Sequence, residues 1–445
     1  MAATVVVRRW LARRVLYVVS FLDMLGVSMI IPSLPQYVKA MDGGALVFGL
    51  LMSLYGFIQF FAAPIVGSLS DHYGRKRVLL ACFVGAAAGY LLLGLSWNIY
   101  VVLLSRVPSA LFKHTLDIIK VAVTDAESAD KRSASIGRLN AAANAGFIIG
   151  PMVGGYVSSV PNGFNYTALL TTALFGVNYC LVALFYSAPL AAAGVVPVVD
   201  ATESGDGGKE KKKHRHVDWK LLLHNAWTKL LGFRSIVNES KPAQTLLVAR
   251  LLLSMAAILY RTHFSVLLED KFGMDSRDRG FVLSYMGLLG FFGSFSVGFV
   301  TKFFKSERLV LQLSAIVYVM TFFALSTATT ISTVYITLVP QVISISIIRA
   351  SSVALQTTFV SQEHVGAFMG ISSSLTSISR TVGPILSGWT YIASIDGPAY
   401  GAACLAAVSA GLFCFSPHFA EVVDSHAADA EGKNNRRLAK KKAVD

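Results

Sequence analysis

A chain of 445 residues that is 54% hydrophobic and only 14% charged, with a mean hydropathy of +0.59, is too apolar for a soluble domain, which carries charge at about a quarter of its positions. In a soluble protein the formal net charge of +14 would point to nucleic acid. Here the basic residues stand in short connections between long apolar runs, where they orient a chain in a bilayer, so the expected partner is lipid and no nucleic acid is expected.

The apolar runs reach the length of about 20 residues that a membrane-crossing helix needs and lack strand-like alternation, which favours helices over a barrel. Arg8, Arg9, Arg13 and Arg14 precede a first run that continues to about Tyr37 with no small-residue cleavage site, so it is a span rather than a signal peptide. Twelve spans follow in order: 15–38, 46–68, 78–96, 99–124, 135–158, 166–187, 243–268, 279–304, 309–328, 331–360, 366–394 and 397–416. Between the sixth and seventh, Gly205, Gly207 and Gly208 lead into a KEKKKHRH run at 209–216, a charged and flexible linker. The expected organisation is an N-terminal six-helix bundle at 1–188, a cytosolic linker at 189–241, a C-terminal six-helix bundle at 242–418 and a basic tail at 419–445. Lys220, Trp227, Lys229 and Leu230 within the linker have the spacing of an amphipathic surface helix.

Arg75, Lys76 and Arg77, then Lys131 and Arg132, then Lys302, Lys305 and Arg308, and finally the tail residues Arg436, Arg437 and Lys440 to Lys442 all fall on one side of such a chain. The positive-inside rule places that side, and both termini, in the cytosol. Gly150-Pro151 in the fifth span recurs as Gly383-Pro384 in the eleventh, and Gly67 has a counterpart in Gly298. These repeats fit two parallel halves related by an axis along the membrane normal. The predicted fold class is therefore all-α integral membrane, with twelve transmembrane helices in two pseudo-symmetric six-helix bundles. Cys82, Cys180, Cys404 and Cys414 all lie inside spans, which argues against a disulfide framework or a metal site, and no cofactor is expected.

Between the second and third spans stands Gly67-Ser-Leu-Ser-Asp71-His-Tyr-Gly74-Arg75-Lys76-Arg77. Gly67 allows close helix approach, Gly74 allows a tight turn, Asp71 can face a helix N-terminus or a cation, and Arg75 can pair with an acid such as Asp125. The run resembles the signature loop of the major facilitator superfamily at every fixed position. The resemblance implies the major facilitator fold and a loop that latches the outward-facing state. Gly146-x-x-x-Gly150-Pro151-x-x-Gly154-Gly155 is similar to the fifth-helix motif of the family's antiporters, a small-residue face with a proline kink. Leu22-Asp23, Pro32, Pro35 and Arg106 resemble the drug-proton antiporter branch, whose Gln-Gly after the arginine is replaced here by Ser109-Ala110. The stretches 21–29 and 106–115 look closer still to an animal orphan branch that brings no substrate with it.

Ionisable groups inside spans default to function. At about 100° per residue, Arg106, Ala110, Lys113, Asp117 and Lys120 fall within about 40° of one direction, giving the fourth helix one polar face. Arg250, Ser254, Ala257 and Arg261 repeat the pattern in the seventh, Ser346, Arg349, Ser352 and Gln356 in the tenth, and Ser20 with Asp23 in the first. These are the helices that line the central cavity in the family resembled. Arg106, Lys113, Arg261, Arg349 and Gln356 are the expected solute contacts, and Arg380 before Gly383-Pro384 adds a cation. Asp23 and Asp117 are the expected proton carriers, clustered with Lys113. The excess of cations favours an anionic or zwitterionic solute over a cation.

The expected function is alternating-access transport of a small polar solute coupled to protons, by a monomer. The alternative is a non-transporting sensor or scaffold that keeps the fold. No nucleotide loop, dinucleotide fingerprint or hydrolase elbow stands in context, so an enzyme is not expected.

Overall fold

The computed structural model describes residues 2–127, 129–186, 241–304, 307–359 and 365–416. The linker run 209–216, the amphipathic stretch after it and the basic tail lie outside the described residues. Within them the chain forms fourteen helices and no strand: α1 (Ala2–Met29), α2 (Leu34–Ala40), α3 (Ala45–Tyr73), α4 (Arg75–Gly94), α5 (Ile99–Phe112), α6 (Thr115–Ala126), α7 (Ala129–Ser158), α8 (Gly163–Phe185), α9 (Lys241–Phe272), α10 (Ser276–Phe304), α11 (Glu307–Ser326), α12 (Ile331–Phe359), α13 (Val365–Ala393) and α14 (Gly397–Phe415).

Fourteen helices make twelve spans because two spans are broken. The first turns at residues 30–33, around Pro32, and resumes as α2. The fourth breaks at Lys113 and His114, so that α5 and α6, with 14 and 12 residues, are each too short to cross alone. Among the described residues, nine spans are long and apolar enough to cross by length and composition alone. Other helices overrun the predicted spans: α9 has 32 residues, about 48 Å at the helical rise.

Each half has its own core. Phe83, Tyr90 and Phe175 centre the one built from α1 to α8, and Tyr260, Phe264, Phe322 and Phe413 the one built from α9 to α14. Large apolar side chains such as Leu184 and Phe299 point outward, as expected where the solvent is lipid and burying apolar surface gives little drive. Helix association then depends on close packing at small residues. On α7 a Cβ at Gly146 would meet the Phe21 carbonyl at 2.2 Å and one at Gly154 the Met29 carbonyl at 2.0 Å, so this face is closed tightly on α1.

The two bundles meet through a repeated device. A Cβ on Gly280 of α10 would lie 2.4 Å from the carbonyl oxygen of Pro151 on α7. A Cβ on Gly49 of α3 would lie 2.5 Å from that of Pro384 on α13. Proline at these points leaves the contacting carbonyl on a bent stretch of helix, and glycine opposite admits it. The duplicated Gly-Pro steps thus occupy matching places in the two bundles.

Candidate functional site

The loop after α3 is built by Gly74, whose φ of 90° and ψ of 144° suit glycine and strain other residues. It turns the chain so that Arg75 starts α4 and reaches back to Asp71 at 2.5 Å and across to Asp125 at 3.2 Å, with Ser70 at 2.6 Å. Lys76 donates to the Ala183 carbonyl at 2.8 Å, which ties α4 to the end of α8, and Arg77 is exposed. Gly67 does not behave as expected here. Among the described residues, a Cβ on it would meet nothing within 4 Å, and the same holds for a Cβ on Gly298.

The opposite end is closed, and every inter-bundle hydrogen bond described here lies toward it. Ser265 donates to the Pro32 carbonyl at 2.9 Å, His263 Nε2 donates to the Ala45 carbonyl at 3.0 Å, and Lys39 pairs with Asp270 at 2.8 Å. Arg279, fully buried, donates to Gln36 Oε1 at 2.6 Å and pairs with Glu269, while Ser276 shares Gln36 at 2.8 Å. Arg279, Gln36 and Glu269 were not singled out by sequence reasoning. Their only signal is the mixed-sign run between Glu269 and Arg279, which looks like an ordinary loop. These contacts between the bundles gather at the end opposite the signature loop.

Within the cleft the fourth span departs from the expected continuous stripe. Lys113 and His114 are not helical, so the wheel drawn through α5 does not continue into α6. The carbonyl freed at Lys113 accepts from Gln59 Nε2 at 3.3 Å. Unwound backbone at membrane depth is tolerated where it is buried in protein or lines a cavity. The break turns Lys113 toward α1, where its ammonium pairs with the buried Asp23 carboxylate and contacts Thr115 Oγ1 at 3.0 Å. Thr115 in turn donates to Asp23 at 3.0 Å. Asp117 is left out of this cluster: it is exposed, and its partner is Lys120 at 3.6 Å. The expected Asp23–Lys113–Asp117 group is therefore an Asp23–Lys113–Thr115 group.

The remaining cations are differently placed. Arg106 is buried at 5% exposure, and its Nε and Nη2 have no partner. Arg261 is exposed, and its guanidinium lies 5.3 Å from the Phe147 ring of the other bundle. Arg349 and Arg380, both accessible, stand close enough for their charges to act on Arg261. No carboxylate pairs with Arg106, Arg261, Arg349 or Arg380 among the described residues. The side chain of Gln356 lies outside the described residues. Ser352 is buried and satisfied by the Ile348 carbonyl at 2.6 Å.

The sequence pattern of the Major Facilitator Superfamily matches residues 16–344 and, in a second placement, 246–443. The chain belongs to the major facilitator superfamily. It is a multi-pass membrane transporter and not an enzyme. Among curated relatives, Solute carrier family 22 member 18 of Mus musculus is 25% identical over 381 residues, covering 84% of this chain and 88% of the relative. The class B tetracycline resistance protein of Escherichia coli is 26% identical over 385 residues, covering 85% and 88%. The solved structure of the human organic anion transporter MFSD10 superposes with a TM-score of 0.61 at 18% identity, covering 91% of this chain and 99% of that one. At that identity the likeness carries the fold and nothing finer. The narrower resemblance to an animal orphan branch is not shown by these matches.

Proposed function

We propose that this superfamily member moves a small organic anion across its membrane by alternating access, coupled to protons through Asp23, with both termini in the cytosol. One observation carries the anion: four guanidiniums, on both sides of the cleft, stand without a carboxylate among the described residues. Arg106 is buried and the other three are exposed, and their summed positive charge attracts an anion and repels an organic cation.

Proton coupling follows from the only buried carboxylate in the first bundle's described core. Lys113 and Thr115 both hold the Asp23 carboxylate. A solute anion that draws the Lys113 ammonium away leaves Asp23 buried and unneutralised, a state that favours taking up a proton. The observed cleft then corresponds to the form open to the signature-loop side. Closing that side would bring the α3 and α10 segments around Gly67 and Gly298 against their neighbours while the Arg279–Gln36 end separates.

The test is flux of pooled metabolites into liposomes holding purified protein, with an imposed pH gradient. Gradient-driven anion uptake that Asp23→Asn uncouples supports the proposal. Folded protein that carries no solute in either direction would support a sensor or scaffold instead.

A further inference from the structure

A groove of about 520 Å³ lies on the outside of the first bundle, where α4, the end of α5 and α8 meet. Its walls include Ala81, Val84, Gly85 and Ala88 of α4, Phe112 of α5 and Tyr179 of α8. Every lining residue belongs to the first bundle, and Ala81, Val84, Ala88 and Tyr179 are exposed, so in a membrane the groove faces lipid. Gly85 lets its floor form: a Cβ there would lie 2.1 Å from the Phe112 ring, which ends α5 just before the break at Lys113. We propose that this groove binds one anionic phospholipid from the leaflet on the signature-loop side, with its phosphate at Arg77 and one acyl chain along α4.

Charge, hydrogen bonding and apolar length follow one another here in the order in which such a lipid presents its parts. At about 100° per residue, Ala81, Val84 and Ala88 lie within about 40° of the direction of Arg77, which therefore heads the groove's own face of α4. Arg77 is exposed and pairs with no carboxylate among the described residues, whereas Asp71 and Asp125 hold Arg75 and the Ala183 carbonyl holds Lys76. Helical side chains lean toward the N-terminus, which in α4 is the signature-loop end, so the guanidinium reaches headgroup level. The Lys76–Ala183 bond of 2.8 Å sets α8 level with α4 and leaves Tyr179 about one helical turn deeper. The Tyr179 hydroxyl has no hydrogen-bond partner among the described residues, and an unpaired hydroxyl in hydrocarbon is costly. The ester carbonyls of a phospholipid lie just below its phosphate, at the level to accept from it. From Arg77 to Ala88 the helix rises about 16 Å, about half of the hydrocarbon core and so the depth of one leaflet. A zwitterionic lipid would bring an ammonium of Arg77's own sign, and a sterol would leave Arg77 without an anion.

The experiment is native mass spectrometry of delipidated full-length protein in detergent, titrated with dioleoyl phosphatidylglycerol or with dioleoyl phosphatidylcholine. The expected result is one phosphatidylglycerol bound about fivefold more tightly than phosphatidylcholine, the effect of one basic residue beside an anionic headgroup. Arg77→Gln should bring the two lipids to equal affinity. Val84→Trp fills the groove and should weaken both lipids about tenfold, as keeping about two methylenes out of it would do. Ala88→Leu obstructs the groove with a smaller side chain and should act in the same direction. Thermal unfolding like that of the wild type shows that each variant is folded. Equal affinity for the two lipids in the wild type overturns the proposal. Phosphatidylglycerol binding that none of the folded variants changes also overturns it, since that marks a general lipid annulus. Cholesterol binding tighter than phosphatidylglycerol, and lost in Val84→Trp, overturns it in favour of a sterol groove.

Discussion

Arg279 donates to Gln36 at 2.6 Å across the bundle boundary, although the two residues are 243 positions apart and neither lies in a recognisable motif. Around this bond the closed end holds Glu269, Ser276 and the Lys39–Asp270 pair. Replacing Arg279 by Met removes a buried charge that serves both bundles and leaves Glu269 without its partner. Breaking a buried pair in this way costs about 3–5 kcal/mol, whereas a half-exposed pair such as Lys39–Asp270 contributes about 1 kcal/mol or less. Arg279→Met should therefore favour the form open at this end, and Lys39→Ala should barely shift the balance. The check is labelling of Ser265→Cys, in a background lacking the four native cysteines, by an impermeant thiol reagent applied from that side. Equal labelling in both variants would remove Arg279 from the role of lock.

Asp23 and Lys113 should be inseparable in stability but separable in coupling. Asp23→Asn strands the buried Lys113 ammonium and should lower stability by several kcal/mol. Lys113→Met strands the carboxylate and should do the same. The double variant removes both charges and should recover most of the loss in a thermal-unfolding measurement, yet its transport should no longer respond to a pH gradient. A double variant that still follows the gradient would place the coupling carboxylate elsewhere.

The glycines sort into three predicted classes. Gly154→Val drives a side chain into the Met29 backbone within one bundle and should destabilise folding by about 1–3 kcal/mol or more. Gly280→Val meets Pro151 across the boundary and should open the closed end without unfolding either bundle. Gly67→Val meets open space, so melting should be unchanged while transport falls, because the clash arises only when the signature-loop end closes. Full flux in Gly67→Val would mean that this end never closes tightly.

Asn165 lies in an Asn-Tyr-Thr glycosylation triplet, but its amide donates to the Gly94 carbonyl at 2.8 Å and to Tyr37 Oη at 3.3 Å, and Thr167 is fully buried. Protein from a glycosylating host should therefore show no glycan-dependent mobility shift at Asn165. A shift abolished by Asn165→Gln would mean that the α8 start is looser than described.

Most of the fold was legible because spans are long and their signal is redundant; a boundary error of a few residues leaves the count intact. The Arg75–Asp125 pair was legible for a similar reason, since a loop arginine and a helix-end acid on one membrane side have few other partners. The fourth span was not. A helical wheel presumes continuous backbone, and the break at Lys113 rotates everything after it, which moved Asp117 off the shared face and brought Thr115 to Asp23. Arg279 was missed for another reason: at a span edge a charge is ordinarily solvated, and no periodicity reports that the partner bundle covers it.

The guanidiniums of Arg106, Arg261, Arg349 and Arg380, none paired with a carboxylate among the described residues, have an electrical consequence. Charge displaced through the whole membrane field is worth about 2.3 kcal/mol per elementary charge for each 100 mV. Fixed cations that are exposed first to one aqueous phase and then to the other sense part of that field even with no solute aboard. The empty carrier would then respond to voltage by itself, as a small transient current that saturating solute abolishes by cancelling the charge on which the field acts.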